Sequence, residues 1–211
     1  MGTLKNGLLG HYRGKIGNLV FYVVNGKQVV RTQTKHNYPP TFKQLQNRNE
    51  LSVVMAFLKS LREFVSVGFA KVASGTVKSP YNLAVSYNKI HAVAGIYPDV
   101  VMDYAKVLVS QGNMLPALTP TVELIADGLK FNWLCPAGLE WPRGADQVML
   151  LAYFPGLQRA EYKLYGAMRS ALTDVLLLPA DFLDKQMEVY ISFIAENRRG
   201  IADSTYLGRV N

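Results

Sequence analysis

The stretch MEVYISF, residues 187–193, alternates between two kinds of side chain along its whole length. One side of the extended chain carries Met187, Val189, Ile191 and Phe193, and the other carries Glu188, Tyr190 and Ser192. The stretch LKFNWL, residues 129–134, has the same period of two. A period of two predicts β-strands, because successive side chains of an extended chain point to opposite faces.

Similar stretches surround these two throughout the second half of the chain. After a strand at about 100–109, we predict seven more, at roughly 121–126, 129–134, 147–154, 160–168, 173–178, 186–196 and 204–210. Asp127-Gly128 and Arg199-Gly200 mark tight turns between them. Seven short antiparallel strands separated by turns predict a sandwich of two sheets.

This half of the chain resembles the fibronectin type III sandwich over about residues 117–211. The segments that carry the resemblance are FNWLCP, DQVMLLAYFP, LLLPADF and the last strands. The matching positions are Trp133, Leu178-Pro179, Tyr190, Ala195, Asn197 and Gly200. The resemblance implies an immunoglobulin-like or fibronectin III-like β-sandwich and carries no function with it.

The first half of the chain predicts a hairpin followed by helices. Two runs rich in β-branched and aromatic residues, Leu19–Val24 and Gln28–Gln33, flank the hairpin turn Asn25-Gly26. A capping pattern at Thr41 begins a helix that we expect to continue to Gly68. A second helix is expected from Ser79-Pro80 to Gly95. The whole is an α+β chain with a basic hairpin and helical region at 1–116 and a sandwich at 117–211.

The first half is also similar to an uncharacterised bacterial and phage-associated family. The similarity consists of a glycine-rich start, a basic hairpin and the pattern P-x-T-x-x-Q-x-x-x-R. The matching residues are Pro39, Thr41, Gln44 and Arg48, followed later by Tyr81, Asn82 and Asn88. The family brings no activity to carry over, and its phage association implies a structural role.

Positive charge is concentrated at the start of the chain. Residues 1–71 contain eleven Lys or Arg and two Glu, a net charge of +9, whereas the other 140 residues carry −1. Such an asymmetry predicts that the first half meets an anion. The candidates are nucleic acid, an acidic lipid surface and an acidic face of another copy.

Sites of enzyme chemistry are not indicated. The stretch GLLGHYRGKIGN, residues 7–18, lacks the glycine spacing and the hydroxyl of a phosphate-binding loop. His11, His36 and His91 fall in no ligand motif, and the lone Cys135 has no catalytic signature around it. We therefore expect no enzyme, cofactor, metal or small-molecule substrate. Without a signal peptide or an apolar run long enough to span a membrane, a cytoplasmic protein is expected.

Three strands are apolar on both faces, which is unusual for a sandwich strand with one wet face. They are Leu19–Val24, Val148–Phe154 and Val175–Leu178. Either other parts of the chain cover the second face, or these faces are contacts between subunits. The sequence leaves the two interpretations open.

Two functions follow. The first is a non-enzymatic structural subunit forming homo-oligomers, within a larger particle or filament, through its N-terminal arm and apolar strand faces. Its assembly arm would be Gly10, Gly14, Lys15, Gly17 and Asn18. The alternative is sequence-independent binding of nucleic acid. Its anion contacts would be Arg13, Lys15, Lys27, Arg31, Lys35, Lys43 and Arg48.

Overall fold

A computed structural model describes residues 3–4, 12–24, 26–33, 38–135 and 143–211 of the chain. Helices and antiparallel sheets together make it an α+β protein, as the sequence predicts. The chain divides into two compact units, residues 1–41 and residues 42–211. This division lies well before the boundary at 116/117 that the change of sequence pattern suggests. We describe each unit by itself.

The N-terminal unit is a four-stranded antiparallel sheet in sequence order. Its strands are β1 (Thr3–Leu4), β2 (Tyr12–Ile16), β3 (Leu19–Val24) and β4 (Lys27–Thr32). The predicted hairpin is confirmed as β3 and β4, paired from Leu19 opposite Thr32 to Val24 opposite Lys27. Part of the predicted arm forms β2, which pairs with β1 on one side and β3 on the other. The main chain of β2 is therefore already paired within its own sheet.

The second unit begins with helices. They are α1 (Phe42–Lys59), α2 (Arg62–Gly68), α3 (Ala70–Ala73) and α4 (Pro80–His91). The predicted single helix to Gly68 is interrupted after Lys59. The Ser60 hydroxyl donates to the Phe57 carbonyl at 3.0 Å, and the Leu61 N–H donates to Leu58 instead. A serine hydroxyl that occupies a backbone acceptor in this way competes with the helical bond.

The helix α4 begins as predicted. Ser79 caps it by accepting a hydrogen bond from the Asn82 N–H at 3.2 Å, and Pro80 stands in its first turn. It ends at His91, four residues before Gly95, because Val93 and Ala94 leave the helix to form a short strand.

Nine strands follow among the described residues of the second unit. They are β5 (Val93–Ala94), β6 (Val101–Met102), β7 (Leu118–Ile125), β8 (Gly128–Leu134), β9 (Gln147–Phe154), β10 (Arg159–Lys163), β11 (Thr173–Leu177), β12 (Met187–Ile194) and β13 (Thr205–Val210). The strands β5 and β6 pair only with each other. One larger sheet has the order β11-β8-β7 and the other the order β10-β9-β12-β13.

The predicted strand at 100–109 is wrong over most of its length. Only Val101 and Met102 pair as β6, and a 3₁₀ turn follows at Tyr104–Lys106. Val107 and Val109 are buried against the helices, and Asn88 on α4 bonds both backbone groups of Leu108, at 2.9 and 2.8 Å. The apolar residues here pack against helices, so their pattern did not reflect a sheet.

The sheet that contains β9 and β12 is covered on both faces. On one face, Leu150, Phe154 and Val189 join a cluster with Phe131 and Trp133 of the three-stranded sheet. On the other face, residues such as Leu151 and Tyr190 join a cluster with α1, α2 and α4. This arrangement decides between the two interpretations of Val148–Phe154: helices of the same chain cover its second face.

Candidate interaction surface

The two faces of the N-terminal sheet differ in charge. Residues directly opposite each other on neighbouring strands share a face. Lys15 lies opposite Val20, which lies opposite Arg31, so both cations share one face. Arg13 is two residues from Lys15, and Lys27 is four from Arg31, so the period of two brings them to the same face. All four charged side chains described in the strands of this unit thus occupy one face.

We call this surface the basic face and define it by Arg13, Lys15, Lys27, Arg31 and Tyr22. Each of the five residues is exposed, Tyr22 to 37%. Tyr22 lies on β3, between the strand of Arg13 and Lys15 and the strand of Lys27 and Arg31. Strands are about 4.8 Å apart, so the two rows of cations are separated by about 10 Å with the tyrosine between them.

We call the opposite surface the uncharged face. Its apolar side chains are Tyr12, Ile16, Leu19, Phe21, Val23 and Val30, accompanied by Gly14, Gln28 and Thr32. Ile16 and Val30 remain 49% and 47% exposed. Tyr12 and Phe21 are in ring contact, with centroids 5.5 Å apart. In residues 12–24, 26–33 and 38–41 no side chain is buried, so this sheet has no core among the residues that the structure describes.

The predicted arm residues lie mainly in the sheet and its first turn. Gly14 is in β2, and Gly17 and Asn18 form the turn between β2 and β3. Gly17 has a φ of +56°, a conformation that glycine adopts at little cost. Gly10 lies outside the described residues. The glycines at 14 and 17 therefore serve a strand and a turn of this chain's own sheet.

The predicted anion contacts fall into three groups. Arg13, Lys15, Lys27 and Arg31 share the basic face. Lys35 lies outside the described residues. Lys43 and Arg48 are exposed on α1, in the second compact unit.

A buried arginine in the second unit was missed by the sequence interpretation. Arg169 is 1% exposed, and its guanidinium lies 3.7 Å from the centroid of the Phe193 ring. Its terminal nitrogens donate to the carbonyls of Leu115 and Pro116 at 2.8 and 3.1 Å. Its Nε lies 3.4 Å from a carboxylate oxygen of Asp146. Burial lowers the pKa of Arg169, and the charge of Asp146 opposes that effect.

A groove of about 470 Å³ lies beside α1 in the second unit. Ser52, Phe57, Tyr104, Tyr153 and Gln158 are among the side chains that line it. Tyr153 is 3% exposed, and burial raises its pKa to about 12. The residues described around the groove are uncharged, so its polar groups are hydroxyls and an amide at neutral pH.

The residues considered for metal or nucleophilic chemistry are scattered. His91 lies on α4 against the ring of Tyr87, with centroids 4.5 Å apart, and Cys135 is a half-buried free thiol. His11 and His36 lie outside the described residues. Within the described part of the chain, no three His, Cys, Asp or Glu side chains come together in a possible metal site. Nor does any described helix have the length and apolar character needed to cross a membrane.

Comparison with known proteins gives one finding. The model of a family of unknown function, DUF6266, matches residues 11–208. The match extends from the residue before β2 into β13 and so covers most of each compact unit. No curated protein and no solved structure matched the chain.

Proposed function

Since the chain belongs to the DUF6266 family of unknown function, we propose a function from its geometry: it is a non-enzymatic structural subunit that self-assembles through the uncharged face of its N-terminal sheet. The observation that supports this is the exposure of that face, together with the lack of any buried side chain in residues 12–24, 26–33 and 38–41. A sheet with an apolar face generally buries that face against another layer.

A second copy of the same face is the occupant that fits best. Residues 1–41 contain six Lys or Arg and no Asp or Glu, so two of these units repel each other in most orientations. Packing the uncharged faces together keeps the described cations of both copies on the outside. A twofold arrangement of this kind is the commonest form of self-association.

The magnitudes support an association of this kind. Complete burial of a Val, Leu, Ile or Phe side chain contributes about 1.5–3 kcal/mol. Six partly buried apolar side chains on each of two copies would together contribute roughly 10 kcal/mol. The cost of association is of the same order, about 4–15 kcal/mol. The contact is therefore expected to be reversible and dependent on concentration.

The test compares two valines on opposite faces of the sheet. Val30 on the uncharged face is 47% exposed and Val24 on the other face is 45% exposed. We expect Val30→Lys to shift the full chain towards monomer in sedimentation velocity, because it buries a charge in the contact. Val24→Lys adds the same charge outside the contact and should assemble as the unaltered protein does.

Two results would contradict the proposal. One is an unaltered protein that stays monomeric at high concentration in both low and physiological salt. The other is an equal loss of assembly in both lysine variants. Circular dichroism on each variant separates lost assembly from lost folding.

We propose further that the second unit contains a fibronectin III-like sandwich, the rigid body of a subunit kept in the cytoplasm and incorporated into a larger particle or filament. The strand orders β11-β8-β7 and β10-β9-β12-β13 support the sandwich, as does the buried Trp133. An experimental structure in which β10 or β11 joins the other sheet would contradict it. Electron microscopy of the purified full chain tests the particle.

A further inference from the structure

The basic face needs a partner of a different kind from the uncharged face. We propose that it binds single-stranded nucleic acid without sequence preference, with Tyr22 stacking on a base and Arg13, Lys15, Lys27 and Arg31 contacting phosphates. This goes beyond self-assembly, because it concerns the opposite surface of the sheet.

The charges on this face have no counter-charges within the sequence of their own unit. Residues 1–41 contain no Asp or Glu at all. The five ion pairs found among the described residues are all in the second unit. Four cations concentrated on one side of a small sheet attract a polyanion, and the release of its counterions drives binding.

The position of Tyr22 favours a nucleic acid over another anion. Its exposed ring lies on a central strand between the two rows of cations. Base stacking on an aromatic side chain, with basic residues along the backbone, is how proteins bind single strands without selecting a sequence. Duplex DNA hides its base faces in the stack, so a tyrosine here would gain little from it.

The surface offers little to a protein or a membrane by comparison. An acidic protein surface would pair with the four cations and would give the exposed tyrosine no role. A membrane would favour several apolar side chains that project beyond the cations, whereas of the three valines described on this face only Val24 is exposed, at 45%, and Val20 and Val29 are half-buried. Both partners are included in the test because their outcomes differ.

The test measures the binding of the full chain to a fluorescein-labelled oligo(dT) of about 20 nucleotides by fluorescence anisotropy. Four phosphate contacts predict a slope of about −3 for log affinity against log salt. Between about 50 and 200 mM NaCl the affinity should therefore fall about 50-fold. A duplex of the same length should bind more weakly at each salt concentration.

Matched variants locate the binding site. Lys15→Gln with Lys27→Gln should halve the slope, because each lost phosphate contact removes about one unit or slightly less. Lys59→Gln with Lys71→Gln removes the same charge from exposed positions of α1 and α3 and should leave the slope unchanged.

Tyr22→Leu should weaken binding about tenfold with the slope retained, since it removes stacking and no charge. Tyr38→Leu changes a tyrosine outside the strands that is 86% exposed and should have no effect.

Several outcomes would overturn the proposal. They are the absence of oligo(dT) binding, an equal effect of the two lysine pairs, and an unchanged affinity in Tyr22→Leu. Tighter binding to vesicles containing phosphatidylserine than to oligo(dT), with no effect of Tyr22→Leu, would assign the face to membranes instead. Val30→Lys should retain binding to oligo(dT) even as a monomer, so failure of self-assembly and failure of this proposal are distinguishable.

Discussion

At the scale of single residues, Arg169 shows how the second unit places a charge in its interior. The guanidinium stacks on Phe193, donates to two carbonyls of the segment that precedes β7, and lies beside Asp146. The backbone carbonyl of Arg169 also accepts a hydrogen bond from the indole of Trp133 at 2.8 Å. One residue thus ties the segment that follows the helices to the core of the sheets.

Asp146→Asn is expected to destabilise the second unit strongly. The change removes the carboxylate that compensates a guanidinium buried almost completely, and breaking one partner of a buried pair typically costs about 3–5 kcal/mol. The measurement is the urea midpoint of the full chain. Asp103→Asn is the control, because the Asp103–Lys106 pair lies at the surface and such pairs contribute little. Equal midpoints in the two variants would contradict this role of Asp146.

The residue scale also shows which parts of a site a sequence can predict. Lys27 and Arg31 could be placed on one face from their spacing, once the hairpin turn fixed the register of β3 and β4. Arg13 and Lys15 could not be added to them, because the sequence predicted an arm where β2 forms. Arg169 could not, because the segment MRSALTD around it resembles an ordinary exposed loop. Its burial depends on contacts with residues more than 50 positions away, at Leu115 and Pro116.

At the scale of elements, the alternating pattern of β12 predicted the strand correctly but wrongly suggested that one of its faces is exposed to solvent. Glu188 and Ser192 suggest a wet face, yet both are buried. Glu188 accepts hydrogen bonds from Tyr206 and Arg209, and Ser192 is bonded to Ser110. Partners on β13 and in the segment that follows the helices satisfy these polar groups, so both can be buried. The period of two fixed the strand, but it could not reveal a third layer.

A matched pair of truncations in β9 tests this third layer. Leu150 packs towards the three-stranded sheet and Leu151 packs towards the helices, and both are fully buried. We expect Leu150→Ala and Leu151→Ala each to lower the free energy of unfolding by about 2–5 kcal/mol. A strand with one wet face would tolerate one of the two. A change below about 0.5 kcal/mol for Leu151→Ala would be typical of a surface position and would contradict the helical cover.

At the scale of the whole molecule, the compact units differ in how they are stabilised. Residues 42–211 contain two hydrophobic clusters that share the sheet of β9 and β12. The described side chains of residues 1–41 contribute to neither cluster. The change from helical to strand pattern near residue 116 marks a change of secondary structure within one compact unit. Composition and period report local structure, whereas a unit boundary depends on which surfaces pack together.

Three fragments therefore should behave differently. Residues 42–211 should unfold in one cooperative transition, because both clusters remain complete. Residues 117–211 would lack α1, α2 and α4 and would expose the face of β9 and β12 that includes Leu151 and Tyr190. We expect this fragment to be less stable and to aggregate, although its sequence pattern predicts a sandwich with its own boundaries. Urea unfolding followed by tryptophan fluorescence compares the stability of fragments 42–211 and 117–211, since Trp133 is buried in the sheet cluster that both fragments retain. Residues 1–41 alone should lack stable structure at low concentration and gain strand content as concentration rises, because so short a chain buries little surface by itself and its uncharged face would be covered by another copy. A stable monomeric fold of 117–211, equal in midpoint to 42–211, would show that the helices contribute nothing to the core.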